Sequence, residues 1–513
     1  MSHANAFLTI APPVVVPTQI PLGALMFSAA LKDNDLHSIL YDASLDFFQF
    51  AVSAPKSKMD TDGKFASLQR RALRAVSYFQ TTRIYKANHH RTQINNFHQY
   101  INQWCRQFPD WQISLTDVNF ARILPQEPDA FIAYLKSGHE TPFTQYIQKK
   151  LFPEIRAIGI KNIGISLTYI SQIYFALELG LFLKENGLQA LIGGALVNIL
   201  DTRTQSRFDF AHLFLREHPL VPAHLASENL RQYPTQWPEL VKKPDEYYTP
   251  VPVVPFLLSK GCYWNKCLFC PDNKSGYHPF PTNSIRRFLE TAFSQTVKNE
   301  IIFNIADSAI PAAQLEKMLP FFKSVNCEFY GFFRFEKTFA AEGYFESLSE
   351  AGARLVQFGL ESGSQRILNL YRKGNETDLT QTILQKAHQA GLKNYVYLLF
   401  GLPTETDTDR NTTLDFVRQN SESIHFLNIA LFNLPVDCEI LKHPEKYDIR
   451  VTEDSRYQKP LQFYVPFTSS QGAVRDQARR FIQQKLKRDP LIRPIVLNTP
   501  HRIRIDHAVF FES

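Results

Sequence analysis

The chain has 513 residues, of which 44% are hydrophobic and 20% are charged. This length accommodates about three domains, and this composition excludes an intrinsically disordered protein. The net charge is only +7, so we do not expect a nucleic-acid-binding protein, and the basic stretch Arg475–Arg488 is interpreted as a solvated helix face in preference to an anion-docking site. Six cysteines are too few for a disulfide scaffold.

The N-terminus, MSHANAFLTIAPPVVVP, has neither the charged start and long apolar run of a secretory signal nor a small-residue cleavage site. No stretch reaches the roughly 18 apolar residues of a membrane span. We therefore expect a cytoplasmic protein without membrane contact. In that reducing compartment a tight cysteine cluster indicates a metal or redox site rather than a disulfide.

Residues 1–225 are predicted to form a doubly wound α/β domain with a mainly helical insertion at about 55–150. The predicted elements, in chain order, are strand Phe7–Ile10, helix Leu22–Leu31, strand Ser38–Tyr41, strand Asn162–Ser166, helix Ser171–Lys184 and strand Leu188–Ile192. Ligands bind such a sheet at the carboxyl ends of its strands. The Gly193-Gly194 pair after the last strand allows close approach to a ligand there, or simply makes a tight turn.

A proline-dense stretch, 226–250, is predicted to be a linker. Residues 251–450 then alternate six predicted strands with five helices, and residues 451–513 are a C-terminal extension without an assigned fold. The predicted strands are Val251–Ser259, Ile301–Ile305, Phe329–Phe335, Leu355–Leu360, Tyr395–Phe400 and Phe426–Phe432; the helices are Asn283–Phe293, Ala312–Lys323, Ala340–Gly352, Thr377–Gly391 and Thr406–Gln419. Six parallel strands make an open sheet or part of a (β/α) barrel, with the chemistry at the carboxyl ends of the strands.

Three of the six cysteines, Cys262, Cys267 and Cys270, lie on the loop after the first of these strands, with four and then two residues between them. Three thiolates on one loop can hold a metal, but zinc normally takes a fourth ligand, for which His278 is the only nearby candidate. An iron–sulfur cluster held by three thiolates fits better and leaves one iron open for a substrate or cofactor.

This loop resembles that of the radical S-adenosylmethionine (SAM) enzymes, in which an aromatic residue precedes the last cysteine, as Phe269 does here; their usual spacing is three and then two. Phe358–Ser364 (FGLESGS), followed by Lys373-Gly374, resembles the fourth-strand segment of the cobalamin-type members, and Phe400–Thr406 (FGLPTET) resembles the fifth. The resemblance covers about residues 250–435. It implies a partial (β/α)6 barrel with a [4Fe–4S] cluster on the three cysteines.

The resemblance also implies a set of SAM contacts at the strand ends. They are Phe269, Asp307, Ser308, Arg334, Glu361, Ser362 and Gly401. A structural alternative exists for five of them, namely Asp307, Ser308, Arg334, Glu361 and Gly401. A carboxylate or hydroxyl at a strand end can cap the next helix, an arginine can belong to an internal ion pair, and a glycine can simply make the turn.

The N-terminal domain resembles the Rossmann-like cobalamin-binding domain that precedes such barrels. The matching positions are Pro12, Pro13, Ser166, Thr168, Ser171, Gln172, Gly193 and Gly194. The chain has no Asp-x-His-x-x-Gly motif, so that motif would not supply a histidine as the lower ligand of the cobalt. The alternative is a degenerate domain that keeps the fold and has lost the cobalamin.

Together, the resemblances imply a radical SAM enzyme that uses cobalamin to methylate an unactivated carbon of a peptide or small molecule, with a flavodoxin or ferredoxin as electron donor. The alternatives are a cobalamin-independent or non-methylating rearrangement or oxidation, and a metal-stabilised binding or regulatory protein with a degenerate barrel. Cys105, Cys327 and Cys438 are interpreted as buried apolar residues. They do not form a second three-cysteine set, which disfavours a tRNA methylthiotransferase.

Overall fold

Two parallel sheets of six strands organise the chain in a computed structural model. The structure describes residues 5–53, 63–81, 86–197, 213–215, 217–222, 232–270, 276–294, 300–436, 438–451, 461–470 and 472–500. Within these ranges, no helix combines the length and apolar character that crossing a membrane requires.

The first sheet is doubly wound, as predicted. Its strands are β1 (Ala6–Ala11), β2 (His37–Asp42), β5 (Asn162–Ser166), β6 (Ala190–Gly193), β7 (Phe214–Leu215) and β8 (Glu239–Leu240). Their order is β7-β6-β5-β1-β2-β8, and every pair is parallel. All six residues of β1 are buried, which is typical of a strand covered on both faces. The short strand β8 belongs to the proline-dense stretch that the sequence indicated to be a linker.

Helices cover this sheet and fill most of the described chain between β2 and β5. They are α1 (Leu22–Asp33), α2 (Ala43–Ser53), α3 (Lys64–Thr81), α4 (Ala87–Cys105), α5 (Pro128–Lys136), α6 (Thr144–Tyr146), α7 (Phe152–Ile158) and α8 (Ile173–Glu185). A hairpin of β3 (Trp111–Ile113) and β4 (Val118–Phe120) interrupts them. Trp111 stacks on Phe120 across this hairpin, with ring centroids 4.3 Å apart, so the segment has a packed aromatic core.

The second sheet is the predicted partial barrel. Its strands are β9 (Val253–Phe256), β12 (Ile302–Ile305), β13 (Glu328–Phe333), β14 (Ala353–Glu361), β15 (Lys393–Phe400) and β16 (Phe426–Leu431), in sequence order and all parallel. The helices between them are α9 (Thr282–Ser294), α10 (Ala312–Val325), α11 (Tyr344–Glu350), α12 (Gln365–Leu370), α13 (Thr377–Gln389) and α14 (Asp407–Gln419). Short antiparallel pairs join β10 (Ser259–Lys260) to β11 (His278–Pro279) and β17 (Leu434–Pro435) to β18 (Tyr464–Val465).

The C-terminal part adds α15 (Val474–Gln484) and α16 (Ile492–Asn498). Helix α15 packs on the end of β15, where a Cβ added to Gly401 would lie 3.4 Å from the Cα of Arg475. The basic stretch therefore begins against the carboxyl edge of the barrel.

The loop that follows β1 in the first sheet forms hydrogen bonds with the second half of the chain. The Gln19 side chain of this loop accepts a hydrogen bond from the Asn304 amide of β12 (3.0 Å), and the Tyr248 backbone N–H donates to the Pro17 carbonyl (2.7 Å). Because ligands of the first sheet would lie beside this loop, its ligand edge is close to the barrel.

Candidate functional site

The cysteine loop leaves β9 at a point that Asp307 fixes. The Asp307 carboxylate, just after β12, accepts hydrogen bonds from the Leu258 backbone N–H (2.7 Å) and the Ser259 hydroxyl (2.5 Å). Asp307 is only 3% exposed, and burial raises its pKa to about 6 against the opposing effect of these hydrogen bonds. Asp307 therefore anchors the entry to the loop, and its contact with SAM stays a prediction. The neighbouring Ser308 is exposed.

None of the three loop cysteines forms a disulfide within the described residues; Cys267 is buried, whereas Cys262 and Cys270 are half-buried. Burial raises the pKa of Cys267, and the nearby Lys373 and Arg334 cations oppose this effect. Within the described ranges, no three His, Cys, Asp or Glu side chains converge as ligands of one metal ion. A [4Fe–4S] cluster does not require such convergence, because each of its thiolates binds a different iron. Three thiolates are a complete protein ligand set for such a cluster with one iron left open, whereas zinc normally takes a fourth ligand.

The segment between α12 and α13 supports the far side of the cysteine loop. The Leu268 backbone N–H donates to the Tyr371 carbonyl (3.1 Å), and the Phe269 ring lies 6.2 Å from the Tyr371 ring, between centroids. Tyr371 in turn donates from its hydroxyl to the Pro403 carbonyl (2.5 Å). Phe269 thus packs beside the loop that follows β15, which contains one further predicted SAM contact, Gly401.

Arg334, predicted to contact SAM, is 6% exposed and uses its donors on the protein. Its Nη2 donates to the Lys373 carbonyl (2.5 Å), and its Nε donates to the Glu336 carboxylate (3.2 Å). The structure therefore supports the alternative, in which Arg334 forms an internal ion pair with Glu336. A contact of Arg334 with SAM stays a prediction.

A buried ion pair lies at the carboxyl end of β14. Lys373 Nζ lies 2.8 Å from Glu361 Oε1, with side chains 10% and 16% exposed. Glu361 adopts φ 66°, and the β14–β15 register shifts beside it. A Cβ on Gly359 would lie 2.7 Å from both charged atoms, so only glycine leaves room for the pair. Sequence reasoning matched Lys373 to a motif but missed its partner, because the two residues are twelve positions apart.

Helix α14 joins the fourth- and fifth-strand segments. The Ser362 hydroxyl is 3.1 Å from that of Thr413, and Ser364 donates to Asp409 (2.6 Å). Asp409 also accepts from the backbone N–H and hydroxyl of Thr406 (2.9 and 2.6 Å). Ser362 is 1% exposed and its hydroxyl faces the helix. This internal hydrogen bond is an alternative to its predicted contact with SAM.

Gly401 begins the loop after β15 with φ 79°, a conformation that favours glycine. Its N–H donates to Glu405 (2.7 Å), which is fully buried and also accepts from Arg410 Nη1 (3.3 Å). Glu405, the glutamate of the segment Phe400–Thr406, therefore stabilises this loop through internal hydrogen bonds.

The ligand edge of the first sheet lies where β1 and β5 are neighbours. The chain runs from β1 to β2 on one side and from β5 to β6 on the other, which makes this the topological switch point where such sheets bind ligands. Gln172, 1% exposed, joins the two loops there. Its Nε2 donates to the Pro12 carbonyl (2.7 Å), and its Oε1 accepts from the Thr168 backbone N–H (2.7 Å).

The other predicted cobalamin contacts surround the same point. The Ser166 and Thr168 hydroxyls would lie 3.6 and 3.7 Å from a Cβ on Gly23, at the start of α1. Gly194 has φ 106° and packs its Cα against the Leu167 backbone, whereas Gly193 faces open space. Pro13 adjoins Pro12 in the loop after β1, and Ser171 is buried beside Gln172. Their contacts with cobalamin stay a prediction.

Residues 256–417, from the end of β9 into α14, match the family model of the radical SAM superfamily. This segment is therefore a radical SAM domain, and the chain carries the resemblance to the cobalamin-type members described above. The superfamily uses a [4Fe–4S] cluster and SAM, as the cysteine loop predicted. No curated protein matches the chain.

Solved structures match the chain as a whole. OxsB, a cobalamin-dependent S-adenosylmethionine radical enzyme with aqua-cobalamin and S-adenosylmethionine bound, superposes with a TM-score of 0.54 at 11% identity, over 93% of this chain and 66% of its own. The radical S-adenosylmethionine methyltransferase TsrM from Kitasatospora setae, with cobalamin and a [4Fe–4S] cluster bound, has a TM-score of 0.46 at 13% identity, over 88% of this chain and 81% of its own. The likeness to OxsB confirms the predicted fold.

Proposed function

We propose that this radical SAM enzyme binds cobalamin at the ligand edge of its first sheet and methylates an unactivated carbon of a small molecule or peptide. The observation that carries the proposal is the hydrogen bond from Asn304 to Gln19. It places the loop that follows β1, and with it the switch point of the first sheet, against the barrel that carries the cysteines.

The residues at the switch point suit a large planar ligand. Gly193 offers open space at the end of β6, and Gln172 fixes the surrounding loops through buried hydrogen bonds. The loops after β1 and β5, residues 12–21 and 167–172, contain no histidine in the sequence, so their contacts with cobalamin would be backbone and hydroxyl groups. OxsB, which shares this fold, was solved with aqua-cobalamin and SAM bound.

When bound, the cluster and SAM supply a carbon-centred radical and cobalamin supplies a methyl group. The chain's own residues position and enclose them. Cys262, Cys267 and Cys270 hold the cluster, and Asp307 fixes the start of their loop. The Lys373–Glu361 pair places buried charge of both signs beside Cys267. Lys373 is a candidate partner for the carboxylate of SAM, since ammonium groups bind carboxylates strongly at buried sites.

Anaerobic cofactor loading and product analysis test the proposal. The purified protein is reconstituted with iron and sulfide, offered hydroxocobalamin and desalted; we expect corrin absorbance to remain with the protein. Incubation with SAM and a reductant should then give 5′-deoxyadenosine, and S-adenosylhomocysteine would indicate methyl transfer. A flavodoxin and a ferredoxin are the two electron donors to compare.

A pair of variants at Gly193 locates the cobalamin. Gly193→Phe fills the open space at the end of β6 and should abolish corrin retention, whereas Gly193→Ala adds one methyl group there and should retain it. Corrin retention by Gly193→Phe equal to that of the wild type would remove cobalamin from this edge. Deoxyadenosine formation without bound corrin would favour the cobalamin-independent alternative.

A further inference from the structure

The segment between the first two loop cysteines is Tyr263-Trp264-Asn265-Lys266, one residue longer than the family pattern described above. Asn265 adopts φ 45°, a left-handed conformation that asparagine tolerates better than most residues. Asn265 and Lys266 are exposed, whereas Trp264 is half-buried. The longer segment thus turns outward at Asn265 and directs the Trp264 ring inward.

The Trp264 ring packs between Arg334 and Gly374. The guanidinium carbon of Arg334 is 4.4 Å from the ring centroid, and a Cβ on Gly374 would overlap the ring. The indole N–H donates to the Arg372 carbonyl (3.0 Å), and Lys266 Nζ lies 4.7 Å from the ring centroid. Since cations over an indole face are attracted to it, the ring is held by packing, a hydrogen bond and charge together.

The same contacts reach the charged end of β14. Arg334 donates to the Lys373 carbonyl (2.5 Å), and the Lys373 ammonium pairs with Glu361 (2.8 Å). Trp264, Arg334, Lys373 and Glu361 therefore form one continuous set of contacts from the cysteine loop to the strand end where SAM contacts are predicted.

We propose that Trp264 is a positioning residue that clamps the long cysteine spacer onto residues 372–374 and so couples the seating of the cluster loop to the Lys373–Glu361 pair. Loss of the ring leaves the spacer held by its cysteines and by the contact of Tyr263 with Tyr277, whose ring centroids are 6.0 Å apart, and it frees Arg334 on one face. The cluster should then be less protected, and SAM should meet a less ordered strand end. The inference rests on the radical SAM domain and is independent of cobalamin and of methyl transfer.

Spectroscopy of the reconstituted protein tests the clamp. We expect Trp264→Ala to lose cluster absorbance in air about tenfold faster than the wild type. It should also need about tenfold more SAM to change the EPR spectrum of the reduced cluster. About tenfold is the lower limit of the effect of losing a residue that supports a metal ligand. Trp264→Phe keeps a ring between Arg334 and Gly374, so it should stay within about threefold of the wild type, the cost of one exposed hydrogen bond.

Two glycines provide a matched control. Gly374 and Gly391 have φ 78° and 79°, but a Cβ on Gly391 would meet nothing within 4 Å. Alanine strains the backbone alike at both positions, and only Gly374→Ala strikes Trp264. Gly374→Ala should therefore reproduce the Trp264→Ala spectra, and Gly391→Ala should keep those of the wild type.

The double variant Trp264→Ala/Gly374→Ala should be no worse than Trp264→Ala, because the ring that the new methyl group would strike is gone. Equal oxygen sensitivity and SAM response in Trp264→Ala and the wild type would overturn the clamp. So would equal spectra of Gly374→Ala and Gly391→Ala, a comparison that remains decisive if Trp264→Ala does not fold. A wild-type protein that binds no iron would overturn it together with the cysteine site.

Discussion

Asp307 offers a direct test of how the cluster loop is anchored. In Asp307→Asn the amide oxygen can still accept from the Leu258 backbone N–H, and the Ser259 hydroxyl can reorient to accept from the amide nitrogen. The variant therefore keeps both hydrogen bonds and removes only the titration of the carboxyl group. In Asp307→Ala, by contrast, the buried Leu258 N–H loses its acceptor, which costs about 1–3 kcal/mol.

The sign and size of the pH effect follow from burial. The pKa of Asp307 rises from 3.8 to about 6, so the fold favours the protonated carboxyl. Its contribution to stability is complete below the unfolded pKa of 3.8 and is lost as the pH rises through about 6. Between about pH 5 and about pH 7.5 the wild type loses about 1.4 kcal/mol from this group, and Asp307→Asn loses none of it.

Thermal melting of the two proteins across this pH range measures the difference. Relative to the wild type, Asp307→Asn should gain about 3–5 °C between the two ends, as expected for a domain of this size. Other titrating groups cancel in the comparison. Asp415→Asn, at a carboxylate that is 57% exposed, is the control for replacing a carboxylate by an amide. The reasoning would be refuted if the melting temperature of Asp307→Asn relative to the wild type stayed constant or fell with rising pH. Hydrogen bonding to the carboxylate would then outweigh the effect of burial on its pKa.

Three further predictions concern the cluster, the strand-end loops and the switch point. Alanine at any of the three loop cysteines should remove most of the bound iron, whereas Cys327→Ala should keep it; iron retained in a loop variant would refute the ligand set. Asp409→Ala should lower the free energy of unfolding by about 3 kcal/mol, because Ser364 and Thr406 lose a buried acceptor; a loss within the roughly 0.5 kcal/mol of ordinary surface changes would refute it. Gln172→Ala should weaken cobalamin retention at least about tenfold, measured by corrin titration, and unchanged affinity would exclude Gln172 as the organiser of those loops.

The regular elements were predictable because buried parallel strands have continuous apolar sequences. Asn162–Ser166 was predicted to the residue. Boundaries failed where tertiary contacts decide them. The predicted strand Val251–Ser259 is divided into β9 and β10, since the Leu258 N–H bonds to Asp307 and not to a neighbouring strand. The helix predicted from Ala340 begins at Tyr344, after Gly343 at φ 72°. Strand β8 has two residues and pairs across about 200 positions, which no local pattern can indicate.

The positions of the site residues were predictable, but their hydrogen-bond partners were not. Parallel topology brings Cys262, Asp307 and Glu361 to one edge whatever the details of packing. Whether Arg334 faces a cofactor or the carbonyl of Lys373 depends on the loop between α12 and α13, which is distant in sequence. The same holds for Ser362, whose partner Thr413 lies on α14.

These internal partners separate the predicted cofactor contacts into groups that are paired within the fold and groups that remain accessible to a cofactor. Leaving a buried polar group without a partner costs about 1–3 kcal/mol, so a fold stabilises itself by pairing such groups internally, as Arg334, Ser362 and Glu405 are paired. Groups that meet a cofactor must instead retain access to it, as the open space beside Gly193 allows at the ligand edge of the first sheet. Variants of the paired residues should therefore act mainly through stability and loop position. Variants at Gly193 should change cofactor affinity while the melting temperature stays constant, and this contrast separates support from recognition.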